Sequence, residues 1–154
     1  MTWIVLTPEE VRKCCLEGVK RQYNSIVSGK VDNPTHGEEQ GNAWQRHIDG
    51  ALSEYAYAKL TGKDWTGAKV AYGDDIEGGI EVKCIHHDER ERKGLLIRPV
   101  MPDHQNSVLM VGWNDTWEYV GWYNNGEAKK DCFYHKGKWG RPPCYVVPIP
   151  LLNR

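Results

Sequence analysis

Two amphipathic helices are predicted at the start of the chain. The first begins at Thr7, because Thr7, Pro8 and Glu10 combine an N-cap residue, a proline at the first helical position and a capping box. Apolar residues then recur at helical spacing until Ser28-Gly29 ends the pattern. They are Val11, Cys15, Val19, Tyr23 and Val27. The basic residues expected on a solvated face of this helix are Arg12, Lys13, Lys20 and Arg21.

The second helix is predicted from about Ala43 to Leu60, and Gly62 ends it. One stripe of this helix, at three- and four-residue spacing, consists of His47, Ala51, Glu54 and Ala58. The small alanines that flank Glu54 would allow its carboxylate to approach a sheet closely. The polar residues 30–42 between the two helices are expected to form a loop.

A run of strands is predicted after the helices. Short apolar and alternating stretches separated by turns are typical of strands. They lie at residues 69–72, 80–86, 94–100, 107–113, 117–123 and 145–148. Residues 107–113 are apolar enough to be central in a sheet, and residues 127–130 are expected to begin a short helix. This order predicts one α+β domain over residues 1–154, with two helices packed on one face of a central mixed sheet of five or six strands.

A tight hairpin around Gly78-Gly79 carries most of the candidate chemistry. Glu81 and Lys83 lie two residues apart on its second strand and therefore share a face. Asp74 and Asp75 precede the turn, which brings one or both of them within reach of Glu81. Converging carboxylates repel each other unless a cation compensates them, and a divalent metal ion commonly does so. A lysine beside such an ion can hold or deprotonate a water molecule. The alternative is a surface hairpin with solvated acids.

Composition and charge narrow the functional classes. The chain has 154 residues, of which 40% are hydrophobic and 27% charged, as is ordinary for a globular protein. A formal net charge of -1 argues against tight, sequence-independent binding of nucleic acid, which needs many Lys and Arg contacts to phosphates. No apolar run approaches the length of a membrane span, and no signal peptide is expected. Five cysteines without a disulfide framework favour a reducing, cytoplasmic compartment.

The order of the chemical residues resembles the PD-(D/E)XK nuclease superfamily, in particular its small phage- and prophage-type members. The resemblance covers about residues 43 to 150 and depends on three segments: Gly50-Ala51-Leu52-Ser53-Glu54-Tyr55-Ala56, Asp74-Asp75 and Glu81-Val82-Lys83. The segments Leu95-Leu96-Ile97-Arg98 and Val120-Gly121-Trp122 are also similar to strands of that group. The resemblance implies a restriction-endonuclease-like core and metal-dependent hydrolysis of a phosphodiester, with DNA as the expected substrate.

The resemblance also implies roles for individual residues. Asp75 and Glu81 would bind Mg²⁺, for which Mn²⁺ could substitute, and the main-chain carbonyl of Val82 would complete the ligand set. Lys83 would orient or activate the attacking water and stabilise the charge that grows on the phosphate. Glu54 would bind a second metal ion or a metal-bound water. This assignment agrees with the preference of Mg²⁺ for a few carboxylates together with waters and phosphate oxygens.

The identity of the catalytic aspartate is open at the level of sequence. Gly73 stands where the family often has a proline before the aspartate, and the spacing from Asp75 to Glu81 is short. Asp74 is therefore the alternative ligand. Asp75 is preferred because it directly precedes the apolar Ile76.

Nucleic acid is the partner expected at the Glu81–Lys83 site. The residues predicted to contact nucleic acid are Arg46, His47, His87 and Arg98. The basic and aromatic segment 129–141 would add stacking and charge, or would be an ordinary solvated loop. Cys132-x-x-His135 is disfavoured as a zinc site because a second ligand pair is missing. The weak net charge favours added affinity from a homodimer or a protein partner. The alternative function is a catalytically inactive binding protein on the same fold, such as a phage-encoded inhibitor or assembly factor.

Overall fold

Three helices and seven strands occur in the part of the chain that the structure describes. This computed structural model describes residues 2–29, 43–67, 75–76, 78–91, 93–137 and 142–154. The helices are α1 (Pro8–Val27), α2 (Ala43–Thr61) and α3 (Asn125–Ala128). The strands are β1 (Thr2–Val5), β2 (Ile80–Ile85), β3 (Leu95–Ile97), β4 (Asn106–Trp113), β5 (Thr116–Asn124), β6 (Tyr134–His135) and β7 (Cys144–Val147). The predicted loop at 30–42 and the predicted strand at 69–72 lie outside the described residues.

The central sheet is mixed and has four strands in the order β1-β5-β4-β2. β2 runs parallel to β4, whereas β4 with β5 and β5 with β1 are antiparallel pairs. β4 is buried from Ser107 to Gly112, which confirms the prediction that it is a central strand. Among the described strands, β2, which carries the Glu-x-Lys pair, is the last one on its side of the sheet.

The prediction of a single sheet with five or six strands is wrong. β3, β7 and β6 form a separate antiparallel sheet in that order. Leu95 and Ile97 of this small sheet belong to one apolar cluster with Leu109 of β4. Because β4 is apolar on both faces, each face of the central sheet needs its own cover. The small sheet covers one face, and the helices cover the other.

The helix layer is fixed on the sheet by apolar and polar contacts. Leu52 and Ala56 of α2 share an apolar cluster with Val82 of β2. At one end of α2, Lys59 Nζ donates to the carbonyl oxygen of Val5 at 3.1 Å. At the other end, His86 Nε2 lies 2.8 Å from Asp49 Oδ2, directly after β2. These contacts along its length fix the direction in which α2 crosses the sheet.

The start of α1 confirms the predicted capping box. The N–H of Glu10 donates to Thr7 Oγ1 at 3.2 Å, and the N–H of Thr7 donates to Glu10 Oε2 at 2.7 Å. Lys59 Nζ also donates to Glu10 Oε2, at 2.7 Å, and this hydrogen bond holds the pKa of the Glu10 carboxyl below its ordinary value. The N-terminus of α1 is therefore capped by its own residues and also joined to α2 through Lys59.

Two short elements differ from the sequence pattern. β1 was not predicted, because four residues are too few to show a convincing alternation. The short helix expected to begin at Glu127 begins earlier, at Asn125, because the Asn124 side chain caps it by accepting from the N–H of Glu127. Among the described residues, no helix is long and apolar enough to cross a membrane.

Replacing Gly18 with alanine is expected to separate α1 from α2. A Cβ atom at Gly18 would lie 2.6 Å from the Cα of Ile48 and 2.9 Å from the carbonyl carbon of His47. These are backbone atoms, so the helices themselves must move, and we expect a loss of about 1–3 kcal/mol in the free energy of unfolding. Urea denaturation measures it.

Gly50→Ala is the matched control for this prediction. Its Cβ would meet only the side chains of Arg21 and Glu54, at 3.8 and 3.9 Å, which is ordinary contact. Alanine also favours the helix by roughly 0.5–1 kcal/mol over glycine. A destabilisation of Gly50→Ala equal to that of Gly18→Ala would show that close packing of α1 on α2 is not the cause.

Candidate active site

Glu81 and Lys83 share one face of β2, as the alternation of strand side chains predicts. Lys83 Nζ lies 2.5 Å from Glu81 Oε1. Glu81 is buried, whereas the Lys83 side chain is 30% exposed. Val82 points to the opposite face and packs in the apolar cluster beneath α2. The Glu-x-Lys segment therefore presents a carboxylate and a solvent-reaching ammonium on the face that is turned away from α2.

Asp75 lies against the outer edge of β2. Its N–H donates to the carbonyl oxygen of Ile80 at 3.0 Å, and its Oδ2 accepts the N–H of Val82 at 2.8 Å. In an extended strand the N–H and C=O of one residue point to the same side, so the carbonyl of Val82 also faces this edge. The carboxylate of Asp75 and the carbonyl of Val82 are therefore at the same edge of β2.

The Gly78-Gly79 turn brings Asp75 to β2. The two glycines have positive φ angles of 96° and 77°, a conformation that glycine adopts without steric strain. Ile76 forms an isolated antiparallel bridge with Ile80 at the base of this turn. The predicted tight turn is thus confirmed. Asp74, the alternative ligand, lies outside the described residues.

Glu54 is held in a buried ion pair on the helix side of the central sheet. Arg21 Nη1 donates to Glu54 Oε1 at 3.0 Å, and Arg21 Nη2 donates to Oε2 at 2.7 Å. Trp65 Nε1 donates to the same Oε2 at 3.1 Å. Glu54 is 1% exposed and Arg21 is 8% exposed. Both carboxylate oxygens are therefore bound by protein donors, and the guanidinium balances their charge.

Arg21 was wrongly predicted to lie on a solvated face. Burial alone would lower the pKa of its guanidinium, but the hydrogen bonds and charge of Glu54, with the charges of Glu17 and Asp75, raise it above the ordinary value. Asp75 is thus close enough for its charge to act on Arg21. The helical spacing of Arg21 from the buried Cys14 and Gly18 is the sequence signal that could have identified it.

Trp65 connects the ion pair to the segment that carries Asp75. Its indole binds Glu54, and its backbone forms an isolated bridge with Ile76, the residue after Asp75. The carbonyl oxygen of Gly67 accepts from Arg21 Nη2 at 2.8 Å and so fixes the same stretch of chain. Glu54 therefore helps to position Asp75 against β2 through protein contacts. No pattern in the sequence indicates this role of Trp65.

The described residues contain no group of three or more His, Cys, Asp and Glu side chains that could hold a metal ion. Glu54, Asp75 and Glu81 are thus not gathered into such a group, because Glu54 and Glu81 lie on opposite faces of the sheet. Asp75 and the carbonyl of Val82 lie at the edge of β2, and Glu81 projects from the face of β2 that is turned away from α2. Carboxylate and carbonyl oxygens are the types of ligand that Mg²⁺ uses, together with several waters.

The four residues predicted to contact nucleic acid lie on both sides of the central sheet. Arg46 and His47 are in the first turns of α2, within the helix layer. His87 follows β2, where its ring centroid lies 5.3 Å from that of Trp3. Arg98 follows β3 in the small sheet on the other side. One phosphate group could not contact all four side chains.

The basic and aromatic segment 129–141 is described only up to residue 137. Within that part, Lys129 Nζ donates to Asp103 Oδ1 at 2.5 Å and to the carbonyl oxygen of Met101 at 2.6 Å. Lys129 therefore stabilises the protein itself. Cys132 is exposed and reduced.

Comparison with known proteins does not identify a family or a function for this chain. No family model, curated protein or solved structure matches the chain. The functional conclusion therefore depends on the geometry of β2 and its surroundings.

Breaking the buried ion pair is expected to destabilise the protein strongly. Arg21→Met leaves the Glu54 carboxylate buried without its counter-ion, so we expect a loss of about 3–5 kcal/mol in the free energy of unfolding. The double variant Arg21→Met/Glu54→Met removes both charges and is expected to recover most of this loss. Urea denaturation of the two single variants and the double variant gives the coupling energy.

Arg12→Met serves as the control for the loss of an ion pair. Arg12 Nη1 lies 2.9 Å from Glu9 Oε1, but both side chains are exposed, so a change of at most about 1 kcal/mol is expected. A similarly small change for Arg21→Met would contradict the central structural role of the buried pair.

Proposed function

We propose that this protein is a metal-dependent nuclease of PD-(D/E)XK type that hydrolyses phosphodiester bonds, with DNA as its substrate. One observation supports this most directly. Asp75 accepts the N–H of Val82, between Glu81 and its ion-pair partner Lys83. Two carboxylates, a main-chain carbonyl and a lysine therefore belong to β2 or border it, and these are the group types implied for a restriction-endonuclease-like core.

Asp75, Glu81 and the carbonyl of Val82 would hold the metal ion. A bound Mg²⁺ lowers the pKa of a water molecule and neutralises charge on the reacting phosphate. Glu54 is not needed as a ligand in this proposal, since Arg21 and Trp65 bind both of its oxygens. Its function is to hold the Asp75 segment in place. The proposed site therefore takes one ion per chain.

Lys83 has two tasks in the proposed reaction. Its ammonium is held by Glu81 Oε1 but still reaches solvent, so it can orient the attacking water beside the carboxylates. As the water oxygen bonds to phosphorus and the bond to the leaving oxygen breaks, negative charge grows on the phosphate oxygens. A fixed ammonium at this position stabilises that charge.

With a net charge of -1 the chain has few surplus cations for binding DNA phosphates, so this proposal includes a second copy or a protein partner that increases the affinity for DNA. A phage or prophage origin, which depends on the sequence resemblance, and a cytoplasmic location, which depends on the five cysteines without a disulfide framework, belong to the same proposal.

A catalytically inactive binding protein on the same fold is the second candidate function. The observation in its favour is the closed Arg21–Glu54 pair, which occupies the helix carboxylate that the resemblance assigns to metal chemistry. Such a protein would use the fold as an inhibitor or assembly factor.

Lys83→Ala is expected to abolish most nuclease activity. The purified full chain is incubated with plasmid DNA and single-stranded DNA in Mg²⁺ or Mn²⁺, and cleavage is followed on gels. Loss of the ammonium that orients water and stabilises the phosphate should reduce the cleavage rate at least about 100-fold. Because Lys83→Ala removes the counter-ion of the buried Glu81, circular dichroism and urea denaturation are used to verify that the variant is folded in the assay.

Lys93→Ala is the matched control, because Lys93 is also paired with a glutamate, Glu89, but lies on an exposed turn. It should cleave at the wild-type rate. Asp75→Asn and Asp74→Asn in the same assay identify the ligand, since only the variant of the true ligand should lose cleavage. Equal cleavage by wild type and Lys83→Ala would assign the activity to another site. No cleavage by wild type would favour the inactive binding protein.

A further inference from the structure

The outward side of α1 carries an apolar stripe that the proposed active site does not use. We call these residues the α1 stripe: Leu16, Val19, Tyr23, Ile26 and Val27, which are 60%, 43%, 61%, 56% and 68% exposed. The other side of α1 is buried through Cys14, Gly18 and Arg21, which face α2 and the sheet. Scattered apolar residues on a surface are ordinary, but five on one helix face indicate an interface.

The spacing of the α1 stripe is that of a helix–helix seam. Leu16, Val19, Tyr23 and Ile26 are separated by three, four and three residues, which is the alternation of a and d positions in a heptad. Two antiparallel copies of α1, related by a two-fold axis between Val19 and Tyr23, would place Leu16 opposite Ile26 and Val19 opposite Tyr23. The two-fold axis repeats each of these pairs once, so the same residues of both copies face each other and the stripe is complementary to itself.

We propose that the α1 stripe is the interface of a homodimer in which two α1 helices pack antiparallel. Because α1 packs on α2 through Gly18 against Ile48, its opposite side, which carries the stripe, is available to a second copy.

The exposed area of this surface suits a dimer. The five apolar side chains of the stripe, each about half exposed, offer on the order of 500 Å² per chain, and the polar rim raises this towards the roughly 800 Å² per partner of a standard interface.

Lys20 predicts how the stability of this dimer depends on salt concentration. Lys20 is exposed and lies next to the two-fold axis, so the two copies bring their Lys20 side chains together. Lys13 does not add to this charge, because its Nζ lies over the rings of Tyr55 and Trp65, at 5.4 and 5.6 Å from their centroids. The like charges of the two Lys20 residues weaken the dimer at low ionic strength, and salt screens them.

Sedimentation equilibrium of the full chain, from about 1 to 100 µM, tests the proposal. We expect a monomer–dimer equilibrium for wild type, and a dissociation constant at least about 100-fold higher for Tyr23→Lys, because Tyr23 forms two layers of the seam. Tyr23 is 61% exposed, so the monomer should fold normally, which circular dichroism verifies. Val100→Lys is the control. Val100 is 65% exposed but lies on a turn after β3, so its dissociation constant should equal that of wild type.

Lys20→Gln separates this interface from any other. It should tighten the dimer severalfold at low salt and remove most of the strengthening that added NaCl gives to wild type. A wild-type protein that stays monomeric over the whole concentration range would overturn the proposal. So would a dimer whose dissociation constant is unchanged by Tyr23→Lys, since another surface would then form it. These measurements need no substrate, so their outcome is independent of the nuclease assay.

Discussion

The buried ion pair between Arg21 and Glu54 is the constraint on which the candidate site depends. It joins α1 to α2 and, through Trp65, fixes the stretch of chain that borders the Asp75 segment. A buried charge pair is stable only when its remaining donors and acceptors are satisfied, and here the indole of Trp65 and the carbonyl of Gly67 satisfy them. Packing of the two helices and placement of the aspartate are therefore parts of one arrangement.

This arrangement divides the four predicted catalytic residues into two groups. Glu81 and Lys83 are in β2, and Asp75 borders its edge together with the carbonyl of Val82. Glu54 lies on the helix side, where arginine rather than a metal ion balances its charge. The proposed nuclease site accordingly has one ion, held beside β2, the outermost of the described strands on that side.

Local features of the fold could be predicted from the sequence, and features that need distant parts of the chain could not. The capping box at Thr7, the glycine turn before β2 and the shared face of Glu81 and Lys83 depend on neighbouring residues, and all three are confirmed. The partner of Glu54 comes from another helix. Likewise β3 and β7 could be predicted as strands, but they pair across a long stretch of chain, and no local pattern indicates that they form a second sheet.

The most direct test of the central claim is a titration of the ¹⁵N-labelled protein with Mg²⁺, followed by NMR. A single ion at the outer edge of β2 should shift the amide signal of Val82 saturably, because that N–H binds the carboxylate of Asp75. The indole N–H signal of Trp65 should stay in place, because Glu54 keeps its protein partners. A Val82 signal that does not respond, or a Trp65 indole that shifts with the same saturation, would contradict the claim.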